Sequence, residues 1–327
     1  MIVNVTRGGL VESTHEVAAC VTDARGRVVH ATGDVERPVY LRSAAKPFIA
    51  AAIVASGAAA RFAFDDRELA VIAASHNGEP YQVDAVRGIL AKIGVDPSEL
   101  RCGAHAPAYE PAAAALAARG EAPSALHNNC SGKHAGILAM CAHLGFDRAT
   151  YLAPEHPAER LILELCARLA GSPAATLPLG IDGCGIPVYA TSLRRAAQSF
   201  ARLATLDEIS EGDARALERV RAAMRAEPRY VAGTGRFDTA LMEATRGRIV
   251  CKAGAEGVHG NALLRERLGL VLKVADGARR AAPPAALALL SGFSALEPGE
   301  ALALGEFASP AVFNVAGLVV GRVAVAT

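Results

Sequence analysis

A serine and a lysine three residues apart, Ser43 and Lys46, stand just before the apolar run Phe48 to Val54. On a helix that spacing puts both side chains on one face, a hydroxyl beside an amine at the helix N-terminus. Backbone N–H groups there favour anions and disfavour an extra proton on a neighbouring lysine. A neutral, partly desolvated lysine can take the proton of a serine and turn it into a nucleophile. The same spacing also arises by chance, with Ser capping a helix and Lys in water. The motif therefore counts only in the company of other reactive groups.

That company is present in five polar loops. They are Ser75-His76-Asn77-Gly78-Glu79, His127 to Gly136, Gly180 to Pro187, Gly233 to Asp238 and Cys251 to Gly260. Glycine next to Asp, Cys, Lys and His allows close backbone approach to a ligand, and functional groups concentrate on such loops. Ser-x-x-Lys at 43–46, Ser-x-Asn at 75–77 and Lys-x-Gly at 252–254 are, in this order, the elements of serine β-lactamases and penicillin-binding proteins. Ala253 stands where that pattern has Thr, and the cysteine-bearing glycine loops are foreign to it.

Strands and helices must hold these loops. Val17 to Thr22 and Arg27 to Ala31 flank the turn signal Asp23-Ala24-Arg25-Gly26 and predict a hairpin. Ala311 to Val315 and Leu318 to Val325 flank Ala316-Gly317 in the same way, and Leu268 to Val274 reads as a buried strand. Helical patterns run over 66–74, 82–93, 110–118, 131–144, 157–169, 193–203, 214–226, 236–245 and 278–290, several of them ending at glycine. Ile181 to Tyr189, rich in Gly and Pro, reads as irregular. The expected fold class is mixed α/β (α+β). An antiparallel sheet from N- and C-terminal strands packs with a largely helical middle, as in serine β-lactamases and penicillin-binding proteins. One catalytic domain is expected over 1–327, with a helical lobe at about 80–245.

Bulk properties exclude other classes. The 327 residues are 52% hydrophobic with a formal net charge of +1, both signs scattered, so neither nucleic acid nor an anionic membrane is an expected partner. The first residues lack the basic and apolar regions of a signal peptide, and no apolar stretch reaches membrane-spanning length. Seven cysteines at irregular spacing argue for a reducing compartment, and the expected location is the cytoplasm.

Six segments together carry a more specific likeness. They are Arg42 to Phe48, Ser75 to Pro80, Asn128 to Gly136, Ile181 to Pro187, Gly235 to Thr239 and Lys252 to Gly257, with Arg7 to Ser13 in addition. Through them the chain resembles the asparaginase II family, the rhizobial-type L-asparaginases. The resemblance implies hydrolysis of the L-asparagine side-chain amide on a fold similar to serine β-lactamases and glutaminases, and a homodimer. It carries over two Ser–Lys pairs, Ser43 with Lys46 and Ser75 with Lys252. Amide hydrolysis needs a nucleophile, a base, an acid for the leaving ammonia and donors for the oxyanion. Ser43 is read as the nucleophile and Lys46 as its base, with Ser75 and Lys252 relaying a proton and holding positive charge; the reversed assignment of the serines stays open. Arg42 suits an α-carboxylate and Asp182 an α-ammonium, although on spacing alone Arg42 could form a surface ion pair and Asp182 could cap a turn. His134 either lines the pocket or packs at a helix start.

Cys130, Lys133 and Cys184 carry two readings. Two thiolates are good zinc ligands and a neutral lysine is a rare third, but Cys-x-x-Lys with a distant Cys is not a standard zinc spacing, and on spacing alone buried free thiols are the better reading. The resemblance implies a zinc site at these three positions. The rivals for function are a glutaminase or another Ser–Lys amidohydrolase, including a β-lactamase-like enzyme, and a non-catalytic asparagine-binding protein.

Overall fold

Apolar alternation at both chain ends produces strands, and the two ends pair with each other. Val3 lies opposite Val325 and Val5 opposite Val323, antiparallel. The structure is a computed structural model and describes residues 1–326. Its chain falls into two units, one made of Met1–Ala44, Thr191–Glu208 and the segment from Ala240 onward, the other of Ala45–Ala190 and Ile209–Thr239.

The first unit is built on an eight-stranded sheet with antiparallel neighbours. Its order is Ala311–Phe313, Val319–Val325, Ile2–Arg7, Leu10–Thr22, Leu268–Val274, Val258–Leu263 and Ile249–Ala253, with Val28–Thr32 also on Leu10–Thr22. The expected hairpin is there, Ala19 facing Thr32 and Val21 facing His30. Its turn is fixed by Asp23, whose carboxylate accepts the backbone N–H groups of Arg25 and Arg27. The helix Leu193–Thr205 packs on the strands through two glycines. A Cβ on Gly269 would fall 2.0 Å from the Ala197 carbonyl oxygen, and one on Gly260 would fall 2.2 Å from the Phe200 ring. Only glycine lets this helix approach so closely.

The second unit is helical. In Lys46–Ala55 every residue from Lys46 to Ile53 is buried, and in Ser131–Leu144 every residue from Ser131 to Cys141. Helices without a polar face belong in the centre of a fold. Gly132 and Gly136 bring Ser131–Leu144 directly against Asp66–Ile72. A Cβ at Gly132 would meet the Val71 carbonyl oxygen at 2.1 Å, and one at Gly136 would meet Ile72 Cγ2 at 2.9 Å. Reciprocal capping of Asp65 with Glu68 starts Asp66–Ile72, and the Gln82 side chain, accepting the Glu79 N–H, closes the start of Pro80–Ile93. The segment Ser75–Glu79 is thus a short loop pinned at both ends.

Two stretches differ from expectation. Cys251 to Gly260, read as a loop, contains the facing strands Ile249–Ala253 and Val258–Leu263, with Lys252 opposite Gly260. Every residue of Val258–Leu263 is buried, so its His, Gly and Asn carry no alternation to mark a strand. Ile181 to Tyr189 likewise holds paired short strands, Leu179 facing Tyr189, closed by a turn at Asp182–Gly185. Among the described residues, no helix is long and apolar enough to cross a membrane.

Candidate active site

The loop leaving Asp66–Ile72 presents Ser75 to the first turn of Lys46–Ala55. Lys46 Nζ lies 3.0 Å from Ser75 Oγ, 2.5 Å from the Ala74 carbonyl oxygen and 3.4 Å from that of Asn129. Lys46 is 1% exposed and Ser75 7%. Burial, above all, pulls the Lys46 pKa below its ordinary value, and the Lys133 charge adds to this while Cys130 and Cys184 oppose it. The amine is the donor in all three contacts, to the Ser75 hydroxyl and to the two carbonyl oxygens.

The rest of the Ser75–Glu79 loop is clamped by its own polar groups. His76 Nδ1 accepts the Gly78 N–H, so Nε2 carries the proton toward Ser131 Oγ at 2.8 Å, and Ser131 in turn donates to the Leu126 carbonyl oxygen. Burial drives His76 down to about 3, and it stays neutral. Asn77 accepts from Arg236 at 2.9 Å and donates to the Thr234 carbonyl oxygen at 3.0 Å. Glu79 takes both the backbone N–H and the hydroxyl of Thr234, each at 2.8 Å. Gly233 has φ of 124°, and a Cβ there would fall 2.5 Å from Asn77 Nδ2 and Glu79 Oε1. The loops at 75–79 and 233–238 therefore form one hydrogen-bonded layer. Asn77, Glu79, Thr234 and Arg236 had no individual role in the sequence reading; their membership in two glycine-bearing polar loops was the available signal.

Close by are the three candidate metal ligands, at the start of Ser131–Leu144 and in the Asp182–Gly185 turn. Lys133 Nζ lies 2.9 Å from Cys184 Sγ. Cys130 shares a hydrogen bond with Cys184, and this, with the charges of Lys133 and Lys46, holds its thiol far below the ordinary range while Cys184 is pushed up. Lys133 loses from burial, yet the two sulfurs keep it above its usual value. All three are buried, and none of the cysteines forms a disulfide. The two sulfurs suit zinc, and the Lys133 amine could join them only after giving up its proton.

Asp182 is half-buried near Lys133, and one of its oxygens accepts the Gly183 N–H while its carbonyl closes the turn onto Gly185. His134 is wholly buried, its Nδ1 2.8 Å from the Tyr151 hydroxyl, which itself accepts the Arg101 N–H. Its Nε2 finds no partner among the described residues.

The remaining candidates lie on the sheet unit. Ser43 sits half-buried in the single helical turn Arg42–Ala45, directly after Arg42, whose φ is 51°. A left-handed, non-glycine residue is strained, and such strain gathers where side chains must be aimed. A Cβ on Gly254 would fall 2.7 Å from the Leu41 carbonyl oxygen and 3.3 Å from the Ala44 nitrogen, so the end of strand Ile249–Ala253 rests on the turn that carries Ser43. Lys252, two residues earlier, is completely buried and donates to the Ala253 carbonyl oxygen at 2.8 Å.

A family model described as L-asparaginase II matches residues 3–325. Among solved structures, one described as a crystal structure analysis of Mglu is similar at a TM-score of 0.40 and 15% identity, over 85% of this chain and 67% of that one. Mglu in its native form in the presence of 4.3M NaCl gives a TM-score of 0.40 and 16% identity, over 85% and 61% of the two chains. The present chain thus spans 61% to 67% of the length of these solved chains. No curated protein matches significantly.

Proposed function

The chain belongs to the L-asparaginase II family, and from that premise we propose that it hydrolyses the side-chain amide of L-asparagine to L-aspartate and ammonia through a lysine-activated serine. The observation that carries this reading is Lys46: buried, held below its ordinary pKa, and 3.0 Å from a serine hydroxyl. Burial favours the neutral form of the amine, which is the form that can act as a base.

Ser43, one helical turn before Lys46, attacks the amide carbon. Its proton passes to Lys46 and then, through the Ser75 hydroxyl resting on that amine, to the departing ammonia. An aspartyl ester on Ser43 is left, and water hydrolyses it with the same groups acting in reverse. Arg42 takes the α-carboxylate and Asp182 the α-ammonium, and Lys252 keeps the role of the second lysine that the family resemblance gives it. Cys130, Lys133 and Cys184 would hold a zinc ion, which supplies fixed positive charge and locks the turn bearing Asp182. A cytoplasmic homodimer is the matching assembly.

A second reading exchanges the two serines. It is favoured by one fact: the hydroxyl on the Lys46 amine is that of Ser75. Ammonia release from L-asparagine, L-glutamine and a lactam, measured side by side, tests the substrate. Faster turnover of glutamine or of the lactam would overturn the asparaginase reading.

A further inference from the structure

The sheet unit contains a cavity of about 580 Å³, within the size range of small-molecule sites, roughly 300–1,000 Å³. Arg42 stands on its wall, whereas Ser43 and Lys252 do not. The wall carries three acids, Glu16, Asp34 and Glu256, and three bases, Arg37, Arg42 and Lys273. The N-terminal amine of Met1 also borders it but is tied to the Val17 carbonyl oxygen and the Thr32 hydroxyl.

We propose that this cavity is a second small-molecule site and takes an α-amino acid with a large apolar side chain. Arg37 and Lys273 supply the carboxylate subsite. Lys273 spends two of its three N–H donors on the carbonyl oxygens of Glu256 and Val274, which leaves one for a ligand. The Arg37 guanidinium makes no ion pair among the described residues. Burial lowers Lys273, Glu256 and Asp276 oppose this, and Arg37 is near enough to add a smaller lowering, so the two cations face the same space. Glu16, exposed and on the wall of the same cavity, receives the ammonium. The remaining wall includes Ile2, Val39 and Tyr40, of which Ile2 is 37% and Tyr40 44% exposed. An aromatic or branched side chain covers these residues, and the polar side chain of asparagine does not. Balanced acids and bases disfavour a polyanion such as a nucleotide and suit a zwitterion.

The site rests on Arg37, Lys273 and Glu16 and does not depend on the asparaginase reading, although Arg42 borders the cavity. Its test is calorimetric titration of the full chain with L-phenylalanine, alongside 3-phenylpropionate and phenethylamine, which each keep one of the two charges. Saturable one-site binding is expected, about tenfold or more tighter for the amino acid than for either analogue. Arg37→Ala and Glu16→Gln, both at surface positions, should each weaken it by about tenfold and leave amide hydrolysis intact. In Ser43→Ala protein, saturating L-asparagine should leave the L-phenylalanine isotherm unchanged. Absence of saturable binding, equal binding of a singly charged analogue, indifference to both substitutions, or displacement by L-asparagine would each overturn the proposal.

Discussion

Lys46 and Ser75, 29 positions apart in sequence, meet at 3.0 Å between amine and hydroxyl in a buried cluster. The contact depends on three local devices. An apolar helix begins at Lys46, a short helix ends at Ile72, and the loop leading into Ser131–Leu144 contributes the Asn129 carbonyl oxygen. Removing the amine should stop the chemistry. Lys46→Met keeps the length and apolar stem of the side chain, and kcat is expected to fall about 10²–10⁴-fold. Steady-state ammonia release measures it, with circular dichroism to show a folded chain. A folded variant with wild-type kcat would remove Lys46 from the mechanism.

The close approach at Gly132 predicts a packing effect. Gly132→Ala places a methyl 2.1 Å from the Val71 carbonyl oxygen, a backbone atom that cannot rotate away. Destabilisation of about 1–3 kcal/mol or more is expected, with loss of activity because Cys130 and Lys133 flank the displaced residue. Gly299→Ala is the control: it lies in the helix Pro298–Ala303 with nothing within 4 Å, and should stabilise by about 0.5–1 kcal/mol. Thermal unfolding of the two variants reads the contrast, and equal Tm values would contradict it.

Acid stability follows from His76. Its folded pKa is about 3 against 6.5 for the free side chain, because burial disfavours the charged form. Above pH 6.5 neither state is protonated and the full contribution is present. As pH falls from 6.5 toward 3 only the unfolded chain gains this proton, and stability declines by about 1.4 kcal/mol per pH unit from this group. Urea unfolding of wild type and His76→Gln across that range should show the shallower slope in the variant. Identical slopes would mean that His76 takes its proton in the folded state.

Zinc content tests the Cys130, Lys133 and Cys184 cluster. Protein equilibrated with zinc and desalted should retain one ion per chain by atomic emission. Cys130→Ser and Cys184→Ser should lose it, while Cys166→Ser, at a thiol whose pKa burial raises to about 12, should not. Equal zinc in all four proteins, or none in wild type, would leave these residues as a hydrogen-bonded thiol–amine group.

Much of the fold was legible in the sequence because it follows from periodicity. The terminal strands alternate, and the helices at 110–118 and 131–144 have the predicted bounds. The strand Val258–Leu263 was not legible, since burial on both faces leaves no period and its residues are those of a loop. The site was legible as residue types and obscure as contacts. Ser43, Lys46, Ser75 and Lys252 stood out by spacing, but the meeting of Lys133 with Cys184 spans 51 positions and no local pattern encodes it. Gly132 was visible only as one more loop glycine, whereas its function is to let a helix touch the Val71 backbone.

The central claim is a covalent intermediate on a lysine-activated serine. Mass spectrometry of the full chain trapped with a reactive asparagine analogue, followed by peptide mapping, tests it most directly. The account predicts a single added acyl group on the peptide containing Ser43, absent in Ser43→Ala and strongly slowed in Lys46→Met. An adduct on Ser75 would exchange the roles of the two serines, and no adduct on either serine despite turnover of L-asparagine would contradict the account.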